Sequence, residues 1–435
     1  GVIVQFGGQT PLNIAQRLKA EGVNIIGTDP DAIDLAENRR KFGKILKELD
    51  IEAPKFGTAH SIDEALEIAN NITYPVLVRP SYVLGGRGMQ IVYDDEGLSK
   101  FVKQATEVSG EHPILIDRFL EDAYEFDVDA ICDGKEVLIG GIMQHIEEAG
   151  VHSGDSSCVI PAYSLSEDHR NRIKDYTKRL AIRLNIKGLL NIQFAIKGNS
   201  IFTLEVNPRA SRTIPFVSKV TNVPLARYAA QVSSGKMINE LPLVNSCKDL
   251  IAVKKPVFPF NKFPQQNIFL SPEMKSTGEA IGFDRNLGSA FAKAEYSAGS
   301  QLPTSGTVFI SVNENDKIKS IALARDFEDL GFRIVATEGT SKLLNDNGVF
   351  SKNIFKVGEG RPNIVDAVKN NEIDIIINTP LGGVAREDEY AIGRAAIRYK
   401  VPVFTTLSGA KAAVRAIRTI EIGNFNYRSL QEIFD

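Results

Sequence analysis

The sequence has little of what marks several common classes of protein. Only three of its 435 residues are cysteine, Cys132, Cys158 and Cys247, and no CxxC spacing occurs. A disulfide framework or a thiolate zinc site is therefore not expected, which fits a reducing cytoplasm. No apolar run approaches the roughly 20 residues that span a bilayer. The opening GVIVQFGGQT is typical of a buried strand and a glycine turn rather than of a signal peptide.

An excess of charge of one sign is lacking as well. Lysine and arginine number 51 against 54 aspartates and glutamates, a net charge of -3, so nothing draws the chain as a whole to nucleic acid or to a membrane. The nucleotide fingerprints GxxxxGK[ST] and GxGxxG are absent, and no Ser/His/Asp relay or thiol nucleophile is evident around His152. A small-molecule partner is favoured, and any nucleotide must be bound through another architecture.

The length predicts two or three domains, because a single hydrophobic core stops growing at roughly 250–300 residues. Residues 1–30 alternate strand, helix and strand like half of a doubly wound sheet, and a helical pattern then runs through DAIDLAENRRKFGKILKELDI. Helices are predicted to begin at Ser61 and near Ser166. Strands are predicted at YPVLVRP, MQIVYD, HPILIDRFL, YEFDVDAIC, EVLIGGIMQHI and VIPAYSL.

A predicted strand pair begins at Gly188. GLLNIQFAI and SIFTLEVNPR are expected to be antiparallel and joined by the turn KGNS, whereas residues 245–300 are less regular and predict a connector. Beyond a boundary near residue 302, helical segments alternate with TVFISV, RIVAT, NIFKV, DIIINT and VPVFTT. Nearly continuous apolar strands of this kind predict a parallel sheet covered on both faces.

Oxygen-bearing side chains lie on the predicted strand pair. Glu205 and Asn207 are two residues apart, so their side chains leave the same face of one strand, and Gln193 lies on its partner. Such donors suit a hard divalent cation such as Mg²⁺. Arg209 and Arg212 follow directly, and two guanidinium groups can hold a carboxylate-like substrate during phosphoryl transfer. The alternative is a strand-ending Asn-Pro turn beside surface arginines.

Two further clusters carry candidate nucleotide contacts. In RPSYVLGGRG, Gly85 and Gly86 allow backbone N–H groups to approach phosphate oxygens, and Arg79 adds a fixed charge, although a simple hairpin loop is the alternative. Leu120 offers an apolar slot for adenine and Glu125 a carboxylate for ribose hydroxyls. The same cluster contains Arg118, Gly150, Val151, His152 and Ser153. Taken alone, that histidine is better explained as a packed or backbone-bonded side chain.

These elements, in this order, resemble the ATP-grasp fold of the carbamoyl phosphate synthetase family. The strings VIVQFGGQTP, RPSYVLGGRGM, DVDAICDG, GGIMQHIEEAGVHSGDSS, EVNPRASRTIPFVSK and PFNKFP are similar to the second, carbamate-phosphorylating half of its large subunit, and the resemblance covers essentially the whole chain. The implied fold is multidomain, of α/β and α+β classes. A partial pre-ATP-grasp α/β segment (1–36) precedes the ATP-grasp domain (37–244, lid roughly 55–117). A connector packing on that domain (245–301) and a methylglyoxal synthase-like, flavodoxin-like allosteric domain (302–435) follow.

Carried over residue by residue, the resemblance implies several kinds of contact. ATP contacts are implied at Arg39, Arg79, Gly85, Gly86, Arg118, Leu120, Glu125, Gly150, Val151, His152 and Ser153. The implied ligands of Mg²⁺ or Mn²⁺ are Gln193, Glu205 and Asn207, and the first two of these are also implied to contact ATP. Arg209 and Arg212 are implied to bind the substrate anion. These two arginines and Glu205 are the implied catalytic residues.

The implied reaction is attack of a carbamate oxygen on the γ-phosphate of ATP, which gives carbamoyl phosphate and ADP for pyrimidine and arginine biosynthesis. The implied partners are carbamate, the N-terminal half of the large subunit and a glutaminase subunit or domain. Neither of the last two lies within this chain, which is expected to begin part-way through the pre-ATP-grasp domain. Two other functions stay open: another ATP-grasp ligase, of the biotin carboxylase or purine-pathway type, and a nucleotide-binding fragment without catalysis.

The tail is expected to bind an effector. Its loops ATEGTS, NTPLGG and TTLSGA each follow a predicted strand, where doubly wound sheets bind ligands. Thr340 or Ser341 is expected to cap the next helix, whose N-terminus favours phosphate. By analogy with the family, Thr337, Thr340, Lys356 and Asn378 form a site for a nucleotide such as UMP or IMP. Ordinary strand-to-helix turns are the alternative, and Pro303 and Thr304 stand where some relatives carry lysine.

Overall fold

The computed structural model describes residues 1–80, 88–109, 113–242, 250–260, 262–263, 268, 270–379, 386–423 and 426–434. The chain divides into two compact units. The first comprises residues 1–145, 159–249 and 428–435, and the second comprises residues 146–158 and 250–427. Within the described ranges, no helix is long and apolar enough to cross a membrane.

The first unit opens with three helices: α1 (Gln9–Ala20), α2 (Pro30–Glu37) and α3 (Arg39–Glu48). The two strands predicted around α1 amount to one parallel bridge between Val2 and Ile25, because two short segments alone form only a minimal ladder. The continuous helix predicted after residue 30 is interrupted at Asn38. This residue has an extended backbone (φ -76°, ψ 107°), and its side chain accepts a hydrogen bond from Lys41 N and caps α3.

A four-stranded antiparallel sheet and two helices follow. These elements are β1 (Phe56–Ala59), α4 (Ile62–Ile72), β2 (Val76–Pro80), β3 (Gln90–Val92), α5 (Asp95–Ser109) and β4 (Ile114–Arg118). The strand order is β1-β4-β2-β3. Ser61 caps α4 by accepting a hydrogen bond from Glu64 N, as predicted. Gly85 and Gly86, from the predicted phosphate loop, lie outside the described residues.

The larger sheet of the first unit positions the candidate site. Its elements are β5 (Tyr124–Asp133), β6 (Val137–His145), β7 (Cys158–Ile160), α6 (Glu167–Arg183), β8 (Lys187–Lys197), β9 (Ser200–Asn207), α7 (Ile214–Thr221) and α8 (Leu225–Ser233). The strands follow the order β7-β6-β5-β8-β9, and the predicted antiparallel pair β8 and β9 is confirmed. One face packs Phe126, Ile192 and Val206 into a core with Ile173 and Leu180 of α6. The opposite face is therefore left for polar side chains.

In the second unit, regular elements occupy the region predicted as less regular. They are β10 (Ile251–Val257), β11 (Gly278–Asp284) and α9 (Leu287–Ser297). The two strands pair antiparallel, and α9 lies close to β11 because Gly282 has no side chain: a Cβ there would be 2.1 Å from Ala290 O. Scattered proline and asparagine hid this pattern in the sequence.

The rest of the second unit is the predicted parallel sheet. Its elements are β12 (Thr307–Val312), α10 (Lys317–Asp329), β13 (Arg333–Ala336), α11 (Glu338–Asp346), β14 (Ser351–Asn353), α12 (Ile364–Lys369), β15 (Ile375–Thr379), α13 (Arg386–Tyr399), β16 (Val403–Phe404) and α14 (Leu407–Glu421); the final helix, α15 (Leu430–Phe434), belongs to the first unit. The order is β14-β13-β12-β15-β16, with every neighbouring pair parallel. This confirms the predicted parallel sheet.

One local prediction in this sheet is wrong. Helix α11 begins at Glu338 with Thr337 as its N-cap, so Thr340 and Ser341 lie inside the helix and do not cap it. The reason is that β13 ends at Ala336 and the helix follows almost at once. The hydroxyl of Ser341 instead lies 2.9 Å from the hydroxyl of Ser351.

Candidate functional site

The candidate site is built on the polar face of the larger sheet. Glu125, Asp127 and Asp129 alternate along β5, so their side chains leave the same face. On the neighbouring strand β8, Gln193 is opposite Asp127 and Asn191 is opposite Asp129. Acidic and amide side chains thus meet across two strands whose other face is the apolar core.

The third strand reaches this face through a β-bulge. Gln193 is opposite Glu205, but the next residue, Phe194, is opposite Thr203, so Leu204 is an extra residue in β9. An extra residue shifts the alternation by one position. Glu205 therefore shares the face of Gln193 instead of the buried face to which Thr203 belongs.

Gln193, Glu205 and Asn207 form the set of oxygen donors that the sequence predicts for a metal. All three side chains are half-buried, and Asn207 Nδ2 donates a hydrogen bond to Glu205 Oε1 at 2.8 Å. The described residues contain no group of three or more His, Cys, Asp or Glu side chains that could hold a metal ion. One carboxylate with two amides nevertheless fits Mg²⁺ or Mn²⁺, because hard cations accept few protein oxygens and take water or phosphate oxygens for the rest.

The two candidate anion-binding arginines follow β9. Arg209 is fixed by three hydrogen bonds: Nε donates to Gln9 Oε1 at 3.2 Å, Nη1 to Ala210 O at 3.3 Å and Nη2 to Asn207 Oδ1 at 3.2 Å. A guanidinium has five N–H groups, so two remain for a ligand. Arg212 is exposed and has no ion-pair partner among the described residues. Its charge is thus available to an anion.

Two of the predicted ATP contacts come together at one buried carboxylate. Arg39 Nη2 lies 2.6 Å from Asp117 Oδ1, and Arg79 Nε lies 3.4 Å from Asp117 Oδ2. Arg39 Nη1 also donates to the carbonyl of Leu204 at 2.6 Å, and the guanidinium stacks 5.1 Å above the ring of Phe56. Two positive charges therefore share one negative charge, and the surplus suits a polyphosphate.

Arg118 and Glu125 have other partners. Arg118 follows Asp117 on β4, so its side chain leaves the opposite face, and Nη1 donates to Thr73 Oγ1 and Tyr74 O, each at 2.6 Å. Glu125 Oε2 lies 3.3 Å from His145 Nδ1. Leu120 is half-buried and lies two residues beyond β4.

Gly150, Val151, His152 and Ser153 belong to the second unit and are half-buried. His152 is backbone-bonded, the alternative that the sequence favours when the residue is taken alone. Its N–H donates to Ser271 O at 2.9 Å, and its Nδ1 accepts a hydrogen bond from Gly154 N at 3.0 Å. Lys254 Nζ donates to Ser153 O at 2.8 Å. Hydrogen bonds to Ser271 and Lys254 of the same unit therefore hold this segment in place.

The predicted effector residues lie in and around the parallel sheet. Thr337 and Asn378 are buried near the carboxyl ends of β13 and β15, where Thr337 Oγ1 lies 3.5 Å from Ser311 Oγ and Asn378 is opposite Ser311. Asn378 Nδ2 is buried and has no hydrogen-bond partner in the described part of the chain. Thr340 is buried inside α11, whereas Lys356 is exposed with its Nζ 3.9 Å from Glu359 Oε1.

The sequence analysis missed several residues of the polar face. They are Asp127, Asp129, His145 and Asn191, all buried, and the buried Asp117 on β4 was missed as well. A signal for two of them was present, because YEFDVDAIC carries an acidic residue at every second position of a strand with an apolar other side. Burial raises the pKa of Asp129 to about 6, against hydrogen bonds from Thr213, Ser211 and Asn191 that lower it.

Comparisons with known proteins bear on the whole chain. Residues 38–241 match the family model described as carbamoyl-phosphate synthase L chain, ATP binding domain; residues 1–35 match the carbamoyl phosphate synthase preATP-grasp domain, and residues 319–405 match the MGS-like domain. The carbamoyl phosphate synthase large chain of Archaeoglobus fulgidus is 56% identical over 99% of this chain and 40% of its own length. This chain therefore spans about 40% of such undivided large chains.

Relatives of similar extent also exist. The protein named carbamoyl phosphate synthase large chain, C-terminal section, is 49% identical in Aquifex aeolicus, over 100% of this chain and 85% of that protein. Its counterpart in Methanocaldococcus jannaschii is 50% identical, over 100% of this chain and 72% of that protein. Relatives with this name imply a separate N-terminal part of the large chain. The resemblance predicted from the sequence is confirmed.

Solved structures support the fold class. The biotin carboxylase domain of the 2-oxoglutarate carboxylase of Hydrogenobacter thermophilus has a TM-score of 0.55 at 15% identity, over 66% of this chain and 70% of that one. Biotin carboxylase of Campylobacter jejuni has a TM-score of 0.54 at 16% identity, over 66% and 71%. At such low identity the likeness shows the fold alone. The predicted ATP-grasp fold class is confirmed.

Proposed function

The chain belongs to the carbamoyl phosphate synthase large-chain family, and on that premise we propose that its ATP-grasp domain phosphorylates carbamate. A carbamate oxygen attacks the γ-phosphorus of ATP, the bond from that phosphorus to the β–γ bridging oxygen breaks, and carbamoyl phosphate and ADP are formed. Both reactants are anions, so the site must offset charge and align them. The observation that carries the proposal is the polar face on which Gln193, Glu205 and Asn207 converge beside Arg209.

In this proposal the residues of the polar face have separate roles in binding the metal ion and the substrate. Gln193, Glu205 and Asn207 hold Mg²⁺ or Mn²⁺, which when bound offsets negative charge on the phosphoryl group. Arg209 enters the reaction already oriented, because its guanidinium is bonded to Gln9 and Asn207. Arg212 supplies a second guanidinium, and paired N–H groups suit the planar carbamate.

We assign the phosphates of ATP to the arginine pair at Asp117. Arg39 and Arg79 lie on that carboxylate with one positive charge in excess, and both arise from elements of the first unit. Glu125 and Leu120 are proposed for ribose and adenine. Arg118, Gly85, Gly86 and residues Gly150–Ser153 stay predictions of the family resemblance.

We also propose that the parallel-sheet domain binds a nucleotide such as UMP or IMP. Support comes from Thr337 and Asn378, which lie near the carboxyl ends of β13 and β15, the two strands that flank β12. Ligands bind at the carboxyl ends of the strands in open parallel sheets. The buried Nδ2 of Asn378 has no hydrogen-bond partner among the described residues, so it is a donor that a ligand oxygen can satisfy. Thr340 and Lys356 complete the proposed set, and ammonia for carbamate is proposed to come from a glutaminase.

The decisive experiment measures ATP formation from carbamoyl phosphate and ADP with Mg²⁺ on the full 435-residue chain. We expect Glu205→Ala to lower this rate by about 100-fold or more, because the only carboxylate of the donor set is lost. Ser200→Ala, at the other end of β9, is the matched control and should retain the wild-type rate.

Each possible result has a clear meaning. A Glu205→Ala rate close to wild type would contradict the proposal. If the wild-type chain binds ATP by calorimetry but forms none, the nucleotide-binding fragment is the correct function. ATP turnover that requires biotin and bicarbonate would identify another ATP-grasp ligase.

A further inference from the structure

Asp129 is a buried carboxylate to which the proposed reaction gives no role. Its side chain is inaccessible to solvent on β5, in the middle of the polar face. Oδ1 accepts hydrogen bonds from Asn191 Nδ2 at 3.0 Å and Ser211 Oγ at 2.7 Å, and Oδ2 accepts one from Thr213 Oγ1 at 2.6 Å. Burying a carboxylate is costly unless it is well bonded, so a position that retains one calls for an explanation.

The two hydroxyl donors flank Arg212. Ser211 and Thr213 both turn toward Asp129, and their hydroxyl oxygens are 2.8 Å apart, so the three side chains form a closed triangle. Arg212 lies between them and is exposed. The backbone on both sides of this arginine is therefore fixed by one carboxylate, while its own side chain is left free to reach a ligand.

Other contacts fix the loop before Ser211 and after Arg212. Ala210 N donates to Gln5 O at 2.8 Å, and Arg209 is bonded to Gln9 and Asn207. These bonds stop at residue 210, and on the other side Val217 N donates to Thr213 O at 2.8 Å, where helix α7 begins. Between those points, the hydroxyls of Ser211 and Thr213 donate to Asp129, and the two hydroxyl oxygens are 2.8 Å apart.

We propose that Asp129 is a positioning residue that fixes Arg212 for the substrate anion through Ser211 and Thr213. This rests on the proposed function, because it assigns Arg212 to the carbamoyl group and not to the nucleotide. Asp129 touches neither substrate. Its removal should therefore weaken the binding of the small anion much more than the binding of ADP.

The test compares Asp129→Asn with wild type in the ATP-forming reaction of the full chain. We expect KM for carbamoyl phosphate to rise about tenfold or more, since small misplacements of a binding group are costly, and KM for ADP to stay within about twofold. Amide hydrogen exchange of residues 209–213 should accelerate. Asp133→Asn is the matched control, because Asp133 lies on the same strand and is almost as buried but accepts from the backbone of Lys135, Glu136 and Ile238.

If Asp129→Asn does not fold, Ser211→Ala removes the hydrogen bond from Ser211 to Asp129 and the contact of Ser211 with Thr213. It should raise KM for carbamoyl phosphate about threefold or more, as expected for loss of at least one net hydrogen bond. An equal rise of both KM values, or unchanged exchange at residues 209–213, would overturn the proposal. If the wild-type chain forms no ATP, the proposed function fails, but the exchange comparison still decides whether Asp129 holds the loop.

Discussion

Gln5 shows at the scale of single residues how the site is held before any ligand binds. Its side chain is almost fully buried, and Nε2 donates to Thr28 Oγ1 at 2.9 Å and to Pro208 O at 2.9 Å. The backbone carbonyl of Gln5 accepts a hydrogen bond from Ala210 N at 2.8 Å. One glutamine near the start of the chain thus fixes the turn between the proposed metal ligands and the anion-binding arginines. Support from neighbouring side chains is what keeps a reactive geometry rigid.

Asp129 gives a prediction for pH dependence. Its folded-state pKa, raised to about 6 by burial, lies above the ordinary value of 3.8. Between these values the native state binds more protons than the unfolded state, so ionisation of Asp129 lowers the free energy of unfolding as pH rises through that window, by on the order of 3 kcal/mol. We expect the difference in unfolding free energy between wild type and Asp129→Asn to shift in favour of wild type from pH 7 to pH 4.5 in urea titrations. A pH-independent difference would contradict the assignment.

At the same scale, the sequence predicted side chains better when they lay in simple patterns. Glu205 and Asn207 were predicted to share a face because they are two residues apart, and they do. The alternation in YEFDVDAIC marks Asp129 itself, but its partners Ser211 and Thr213 are more than 80 residues away, and no local period reveals such a contact. Thr340 was misplaced because the end of a strand cannot be located to one residue from propensity.

At the scale of elements, the break between α2 and α3 determines where Arg39 lies. Asn38 ends one helix and caps the next, so Arg39 is the first residue of α3 and reaches Asp117 and Leu204. A continuous helix through this segment, as the sequence pattern predicted, would point the Arg39 side chain in a different direction. Strands β5, β6, β8 and β9, by contrast, were predicted well, because an apolar face on every second residue is a strong signal.

The cap gives a testable prediction. We expect Asn38→Ala to lower the free energy of unfolding by about 1 kcal/mol, the usual effect of losing a capping side chain, and also to weaken ATP binding in calorimetry. Ser166→Ala is the matched control. It removes the cap of α6, where Ser166 accepts from His169 N at 3.1 Å, and should cost similar stability with no change in ATP affinity. Equal loss of ATP affinity in both variants would refute the link between the cap and Arg39.

At the scale of the whole molecule, the chain comprises two units with separate proposed tasks. The first contains the polar face and the arginine pair, and the second contains the parallel sheet and the segment of residues 146–158. The parallel sheet could be predicted from the strand pattern. The assignment of residues 146–158 to the second unit could not, because chain segments that leave one unit and return carry no sequence mark.

If the two units have separate tasks, effector binding and ATP formation should respond independently to mutation. Lys356→Ala should weaken binding of UMP or IMP, since it removes an exposed charge proposed to face the effector phosphate, and should leave basal ATP formation unchanged. Lys352→Ala, also exposed and on β14, is the control and should alter neither quantity. The measurements are effector calorimetry and ATP formation on the same preparations. Loss of basal activity in Lys356→Ala would contradict a separate regulatory site.

The extra residue in β9 has a consequence for how this chain can change. Leu204 is an extra residue in β9 and shifts the alternation of side chains by one position. Whether the number of residues between the KGNS turn and Glu205 is odd or even therefore decides whether the carboxylate lies on the polar face or in the hydrophobic core. Deleting one residue there would turn the side chains of both Glu205 and Asn207 to the opposite face of the sheet. Deleting two residues would keep both side chains on the polar face and would only move them along the strand.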